Sequence, residues 1–579
     1  MPSELIIHPD DTILRVGDTA RFKVHVLDQH GVPFAGVPAW ATPKWRTPDP
    51  GAVYLWDDGR VEAGMHVDTE VRATFAGLMA RTRLRVNPKR LALSVPAVTV
   101  TQAVQSIDGD VPLIAGRTAL MRIFATGDLP SFYRPRATAS FYVGDELVHW
   151  ADVGLQSESF PTEVDEGRLD VSFNVPIPGG ALHPGVEFVV EIDREGAVPH
   201  APGSQLRVPA AGRMPLDVRK LGPFELTVVP VEIASDSAPE MDIRAWAAGL
   251  TADGEELRLP RAVLPIAGVT LLPHDGIVTT ADLETVEGWG QLLAEIAFLR
   301  TREGSRGYYY GAVAPDPSRR WRGLGIIGFP ASVGTADAET LTHELGHNMA
   351  LQHAPCGGTG DADEDYPYEN GVTGAWGYNP TTRRLVHPLL HRDVMGYCAP
   401  RWVSDYHFTR AIDFREHLED ALVAPATASD GTTGHAHGTT LLLWGRVGDE
   451  GVVLDPAFVT DLPPTMPAAP GPYRLEGFGE GGRSLFSLSF SPRPTEFGGG
   501  MFLFAVPFDR AVDGVLARVE LSGPAGSAQL EPSGTPPMAL VTDRATGRLR
   551  AVLRNWSDGE IVPVRGDVAV AFSEGLPRY

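Results

Sequence analysis

Apolar and polar residues alternate through most of the first two hundred positions, the rhythm of strands with one buried face. Arg21-Phe22-Lys23-Val24-His25-Val26-Leu27 is a clear instance, and Asp28-Gln29-His30-Gly31 follows as its turn. Val53-Tyr54-Leu55-Trp56 and the stretch between Val71 and Val86 repeat the pattern, so residues 1–90 are expected to form an immunoglobulin-like β module. Strands at Ala119–Phe124 and Val171–Val175, punctuated by Gly179-Gly180 and Pro184-Gly185, make residues 91–220 a second β-sandwich module. The pattern then changes. Phe224–Ile233 is a strongly apolar strand, and a helix is expected from Thr280, as N-cap, to Arg302, burying Leu283, Val286, Leu292, Ile296 and Leu299. Two β runs, 307–313 and 323–329, precede a helix over about 336–350, and another is expected from Asp405 to Leu422. Mixed helices and strands across 221–425 indicate an α+β domain. Strand patterns return over 426–579, predicting a C-terminal β-rich domain. The fold class is therefore multidomain, with β-sandwich modules flanking an α+β domain.

Composition narrows the function. The chain has 579 residues, 43% of them hydrophobic and 21% charged, which fits folded domains and excludes wholesale disorder. A formal net charge of −24 argues against binding nucleic acid or anionic lipid through the overall field. No apolar run approaches the twenty or so residues that span a bilayer. The start, Met1-Pro2-Ser3-Glu4-Leu5, has neither the basic nor the apolar region of a signal peptide. Cys356 and Cys398 are the only cysteines, too few for a disulfide framework or a multi-cysteine metal site.

The informative segment is Thr342-His343-Glu344-Leu345-Gly346-His347-Asn348-Met349-Ala350-Leu351-Gln352-His353. On a helix His343 and His347 stand at i and i+4, so both imidazoles leave one face and can share an ion. Glu344 is placed to reach a water on that ion without ligating it. His353 lies beyond the expected helix end, where a chain that turns back supplies a third nitrogen. Three neutral imidazoles leave zinc an open position for water, the mark of a catalytic site. Chance alone gives an H-E-x-x-H in about 1 chain in 30 of this kind, and His353 in addition lowers that to about 1 in 1,000.

These residues resemble the metzincin zinc peptidases, whose signature is H-E-x-x-H-x-x-G-x-x-H followed by a Met-turn. The resemblance implies zinc on His343, His347 and His353, Glu344 as catalytic base, and Met395 of Asp393-Val394-Met395-Gly396-Tyr397 as the apolar floor beneath the ligands. It also implies that Tyr397 ligates the resting metal or hydrogen-bonds the reaction intermediate, as in astacins, serralysins and pappalysins. Ala350 stands where the family has a glycine, so the turn after the helix is either strained or built differently. The strand over 323–329 matches the sheet edge that holds an extended peptide in such enzymes. Modular bacterial metzincins that cleave mucin-like glycoproteins share the layout of β modules ahead of the zinc domain.

Cys356 follows His353 by three residues and Cys398 follows Met395 by three, so converging anchors bring the thiols close. A disulfide is the expected outcome, with a thiolate on the metal or two buried thiols as the alternatives. A disulfide implies an oxidising compartment, hence a secreted or cell-surface protein. Between the cysteines, Asp361-Ala362-Asp363-Glu364-Asp365 offers hard oxygen ligands to calcium, against the plainer reading of a solvated acidic loop. His387, His391 and His407 lie near the cleft in sequence and are expected mostly at the surface or behind the ligands. The leading expectation is a zinc endopeptidase acting on protein or glycoprotein substrates, through a zinc-bound water activated by Glu344. The alternative is a non-catalytic adhesin or glycan-binding array of β modules with a structural zinc domain.

Overall fold

The computed structural model describes residues 2–34, 42–235, 241–418, 439–448, 451–509, 514–558 and 560–577. The chain forms two compact units, Met1–Val218 and Arg219–Tyr579.

The first unit holds two β cores. One gathers Leu5, Phe22, Val61, Val71 and Val86 from short strands whose inward positions alternate with outward ones, as in Val67–Phe75. The second gathers Met121, Ile123, Phe141, Phe173 and Phe188 between a three-stranded and a five-stranded sheet. A hydrogen bond from Phe132 N–H to the Asn87 side chain at Oδ1 (2.6 Å) and one from the Tyr133 hydroxyl to the Pro88 carbonyl (2.8 Å) tie the two cores at their junction. The alternating sequence 21–27 is divided into two strands, Thr19–Arg21 and Lys23–Asp28.

The second unit is built on a nine-stranded sheet. Its strands are β1 (Phe224–Ile233), β2 (Val269–Leu272), β3 (Ile277–Thr279), β4 (Tyr308–Val313), β5 (Gly323–Gly325) and β6 (Ala331–Thr335), joined by three late strands. Spatial order runs β5, β6, β4, β1, β3, then Leu549–Arg554, Met538–Asp543 and Val568–Ser573, with β2 also on β1. Strands β3, β1, β4 and β6 pair in parallel, and β5 closes the edge antiparallel to β6. Covered on both faces, β4 and β6 are buried at every position rather than at alternate ones.

Helix α1 (Val286–Arg302) lies against this sheet. Its N-cap is Thr285, which accepts from Gly288 N–H, so the expectation of Thr280 as cap is corrected. Thr280 instead exchanges hydrogen bonds with the backbone of Arg554 in the neighbouring strand. Val286, at the first helical position, is exposed, while Leu292, Ile296 and Leu299 are buried as expected. The helix is buried at every position from Leu292 to Arg300 because a second layer covers its other side: Leu442 and Trp444 of β7 (Thr440–Gly448) and Met501 of β9 (Gly500–Pro507) share its core. Between them a short strand β8 (Arg493–Pro494) pairs with β9 as a hairpin. Buried charges lock the layers. Arg554 reaches Glu295 of α1 at 2.8 Å and Asp455 at 2.9 Å.

The expected boundary at 425/426 lies outside the described residues. Beyond it the chain does two things. Residues 440–530 form two small sheets, and residues 538–573 return to extend the central sheet, so the α+β region and part of the C-terminal region share one sheet and one core. The helix expected from Asp405 to Leu422 is regular over α3, Asp405–Asp413, and continues as a π-helical turn over Phe414–Leu418; Leu422 lies outside the described residues. His435 and His437 lie outside them as well.

Candidate metal centre

Helix α2 (Ala338–Asn348) starts at Asp337, whose carboxylate accepts from Thr340 N–H, and lies buried from Thr340 onward. His343 and His347 leave it one turn apart, with Nε2 atoms 3.1 Å from each other. Each ring is held from behind: His343 Nδ1 lies 2.9 Å from the Val394 carbonyl and His347 Nδ1 2.9 Å from the Leu351 carbonyl. Carbonyls only accept, so both Nδ1 atoms carry the proton and both Nε2 lone pairs face inward.

The helix ends in a Schellman turn. Leu351 N–H returns to the Gly346 carbonyl and Ala350 N–H to the His347 carbonyl, with Ala350 at φ +63°. The turn therefore has the geometry that glycine usually supplies, built with an alanine in the left-handed region. It redirects the chain so that His353 joins the other two rings, its centroid 5.3 Å from that of His343 and 4.8 Å from that of His347.

Beneath the rings lies the turn around Met395. Asp393, fully buried, accepts from Met395 N–H (2.8 Å) and Ser404 N–H (2.8 Å) and pairs with His407 Nδ1 (2.9 Å). Burial would raise the Asp393 pKa, but His407, Ser404 and the Met395 amide together hold it below the usual range. Met395 is wholly buried and packs against the helix backbone at Gly346, where a Cβ would meet its sulfur. Backbone bonds from Ala354 N–H to the Met395 carbonyl and from Tyr397 N–H to the Cys356 carbonyl zip the two segments together. Cys356 and Cys398 form the disulfide, closing 42 residues.

Tyr397 is exposed, and its hydroxyl lies 3.2 Å from His353 Nε2. Burial, then the charges of Glu496 and Glu344, raises its pKa, which keeps the hydroxyl protonated and a donor. Glu344 sits beside the rings with Oε2 buried and without a hydrogen-bond partner. Its carboxylate lies along β5, where side chains at Gly323 and Gly325 would collide with it. Burial, with the charges of Glu496 and Asp337, pushes the Glu344 carboxyl well above the usual range.

No metal-ligand motif in the sequence includes Glu496. It stands on the β8–β9 hairpin, far along the chain from the histidines, yet its Oε2 lies 2.9 Å from His347 Nε2, 3.3 Å from His353 Nε2 and 3.6 Å from His343 Nε2. The only hint in sequence is the glycine run Gly498-Gly499-Gly500, which marks a tight turn.

The donor set fits a cation. Two Nε2 lone pairs and a carboxylate oxygen meet with no proton to share between the rings. Burial lowers the His347 pKa to about 4, so protonation does not relieve the clash at neutral pH. Zinc at about 2.0–2.1 Å from each of four tetrahedral ligands sets them about 3.3 Å apart, and the separations here bracket that value. His343, His347, His353 and Glu496 are all buried and converge on one point.

Asp361, Asp363, Glu364 and Asp365 make no comparable cluster among the described residues. Asp363 instead accepts from the Tyr406 hydroxyl (2.9 Å) and from Asp365 N–H, so the calcium expectation gains no support. His387 packs on Trp376, and His391 Nδ1 lies 3.3 Å from the His387 carbonyl; neither joins the cluster. His407 braces the Met395 turn from behind.

The Peptidase M66 family model matches residues 279–409. That span runs from the end of β3 through α1, all three histidines and the Met395 turn to the start of α3, and it stops before Glu496. No curated protein matches the chain. Among solved structures, domains 4 and 5 of the S-layer protein SbsC align at 13% identity with a TM-score of 0.18, covering 38% of this chain and 98% of that one. A longer piece of SbsC aligns at 14% identity and TM-score 0.17, with 28% of its length covered. Extracellular domains 3–5 of Drosophila OTK align at 12% and 0.15, with 63% covered. Overlaps this loose carry no argument. The family match, over a segment whose buried histidines converge on one point, identifies residues 279–409 as similar to a metallopeptidase.

Proposed function

We propose that the chain is a zinc-dependent endopeptidase of metzincin type, with His343, His347 and His353 holding the metal and Glu344 as the catalytic base. The observation that carries the reading is the convergence of three imidazole nitrogens beside a buried carboxylate oxygen with no partner of its own. Zinc bound there would supply a Lewis acid that acidifies water and polarises a carbonyl. Glu344, whose burial favours the neutral carboxyl, would be drawn toward its ionised form by that neighbouring charge. Glu344 Oε2 then accepts the proton of the attacking water as its oxygen bonds to the scissile carbon. The same carboxyl returns the proton to the leaving amine as the carbon–nitrogen bond breaks. The Tyr397 hydroxyl, a protonated donor 3.2 Å from His353 Nε2, would stabilise the charge that develops on the carbonyl oxygen. Strand β5, a sheet edge with glycines against Glu344, suits an extended peptide paired through its backbone. The disulfide supports a secreted or cell-surface location. No helix of the described residues is long and apolar enough to cross a membrane.

Glu496 favours a second reading. Four protein ligands make a closed, structural zinc site, which would suit a non-catalytic adhesin or glycan-binding array. Against it stands Glu344, a buried carboxylate with no structural partner at Oε2. One experiment separates the two. Zinc-loaded wild type and Glu344→Gln are incubated with unfolded proteins and glycoproteins. The peptidase reading expects cleavage by the wild type and a loss of about 10²–10⁴ in kcat with zinc content unchanged in the variant. Equal activity in both, or none in either, overturns it.

A further inference from the structure

The hairpin that carries Glu496 does more than place a carboxylate. Its tip runs along the loop leaving β5. Ile327 N–H donates to the Pro494 carbonyl at 2.9 Å, and Thr495 bridges Ile326 in antiparallel register. The Arg493 guanidinium lies over the Phe329 ring at 3.9 Å, fastening the base of the hairpin to the same loop. Thr495 Oγ1 donates to the Gly498 carbonyl at 2.9 Å, closing the turn. A segment of chain thus pairs through its backbone at the end of the sheet edge where a peptide would lie. From that segment one side chain enters the metal centre. Its side chain is 1% exposed, with Oε2 on the three imidazole nitrogens and Oε1 left without a partner.

We propose that Glu496 is a fourth protein ligand of this metal centre, and that the hairpin tip bearing it occupies the substrate's place, so that the chain described here is a closed form which peptide substrate or inhibitor must open. This rests on the peptidase reading above. The contrast in support between the ligands is what makes one of them displaceable. His343, His347 and His353 are braced by α2, its Schellman turn and the disulfide-linked Met395 turn. Glu496 hangs from a five-residue turn beyond the two-residue strand β8. A peptide that takes over the backbone contacts of Pro494 and Thr495 removes what holds the carboxylate in place. The position Glu496 vacates is the one the attacking water needs, so closure and catalysis exclude each other.

The test uses the whole chain, zinc-free and reloaded with cobalt(II), as wild type and as Glu496→Gln, which keeps the side chain's volume. Cobalt stoichiometry, the visible absorption spectrum and the affinity for a peptide hydroxamate are measured on both. The proposal expects one cobalt per chain in each, a changed spectrum in the variant, and hydroxamate affinity higher by about 10–100-fold, the factor by which a centre closed 90–99% of the time masks its intrinsic affinity. A second measurement needs no variant. Saturating wild type with the hydroxamate should speed amide exchange in peptides covering 324–329 and 493–499, because the Ile327–Pro494 bond is broken. An unchanged spectrum with unchanged hydroxamate affinity overturns the proposal. So does a variant that loses cobalt and gains no affinity, which would make Glu496 a permanent ligand. A spectral change with tighter hydroxamate binding supports it whether or not peptides are cut. Absence of cleavage in both proteins would then count against the peptidase reading alone.

Discussion

Gly346, in the last turn of the motif helix, sets local preference against tertiary packing with opposite signs. Replacing an interior helical glycine with alanine stabilises an isolated helix by about 1 kcal/mol, because the glycine loses more backbone freedom on folding. In this fold a Cβ at Gly346 meets the Met395 sulfur, with Cε next at 3.1 Å and Leu351 Cδ1 at 3.6 Å. A methionine usually yields, but Met395 is 0% exposed and cannot move without displacing its neighbours. Overpacking of this kind costs about 1–3 kcal/mol. The net expectation for Gly346→Ala is a loss of about 1 kcal/mol. Urea unfolding of the metal-free protein reads it, with chelator present so that metal linkage does not contribute. The fully buried Trp289 and Trp444 report the transition of the core next to the site. A double-mutant cycle isolates the cause. On a Met395→Ala background the obstruction is gone, and Gly346→Ala should become stabilising, a coupling of about 1–3 kcal/mol. If Gly346→Ala alone raised the unfolding midpoint, the tight floor beneath the histidines would be refuted.

Three further outcomes are expected. Ala350→Gly should stabilise the metal-free protein by about 0.5–1 kcal/mol, since relief of roughly 1–2 kcal/mol of left-handed strain exceeds the added unfolded-state entropy; a lower unfolding midpoint would contradict the φ of +63°. Replacing both Cys356 and Cys398 with alanine should cost about 4 kcal/mol, the chain-entropy value for a 42-residue loop, measured as a lower midpoint under non-reducing conditions; an unchanged midpoint would contradict it. His347 has a folded pKa lowered to about 4 by burial, so between pH 6.5 and 4 the unfolded chain binds a proton that the native one does not. Relative to His347→Gln, the metal-free wild type should keep its full stability above pH 6.5 and lose up to about 3 kcal/mol as the pH falls toward 4, read by unfolding at a series of pH values; a difference independent of pH would contradict it.

The two histidines one helical turn apart, Glu344 beside them, His353 beyond the turn and the Met395 segment were all legible because their meaning lies in spacing along a few residues. Local rules also found β1, β4 and the body of α1. They failed where a distant strand intervened. Thr280 reads as a cap, but its hydroxyl is taken by the backbone of Arg554, and the helix begins at Thr285 instead. Helix α1 reads as one-sided, yet Trp444 and Met501 cover its far face. Ala350 could be recognised as an anomaly in sequence, whereas only the backbone revealed that the turn keeps its geometry and the alanine takes the strain.

By itself, then, the sequence determined the chemistry available on α2 and the turn after it, because a helix of 3.6 residues per turn places i and i+4 together wherever it sits. Tertiary structure alone decided who meets that chemistry. The strands 538–573 join the central sheet and the β8–β9 hairpin brings Glu496 to the histidines through contacts between residues more than a hundred positions apart. No periodicity or motif encodes such contacts. They arise because buried faces must find partners, and the partner that fits is chosen by shape and hydrogen bonding in the folded unit, not by proximity along the chain.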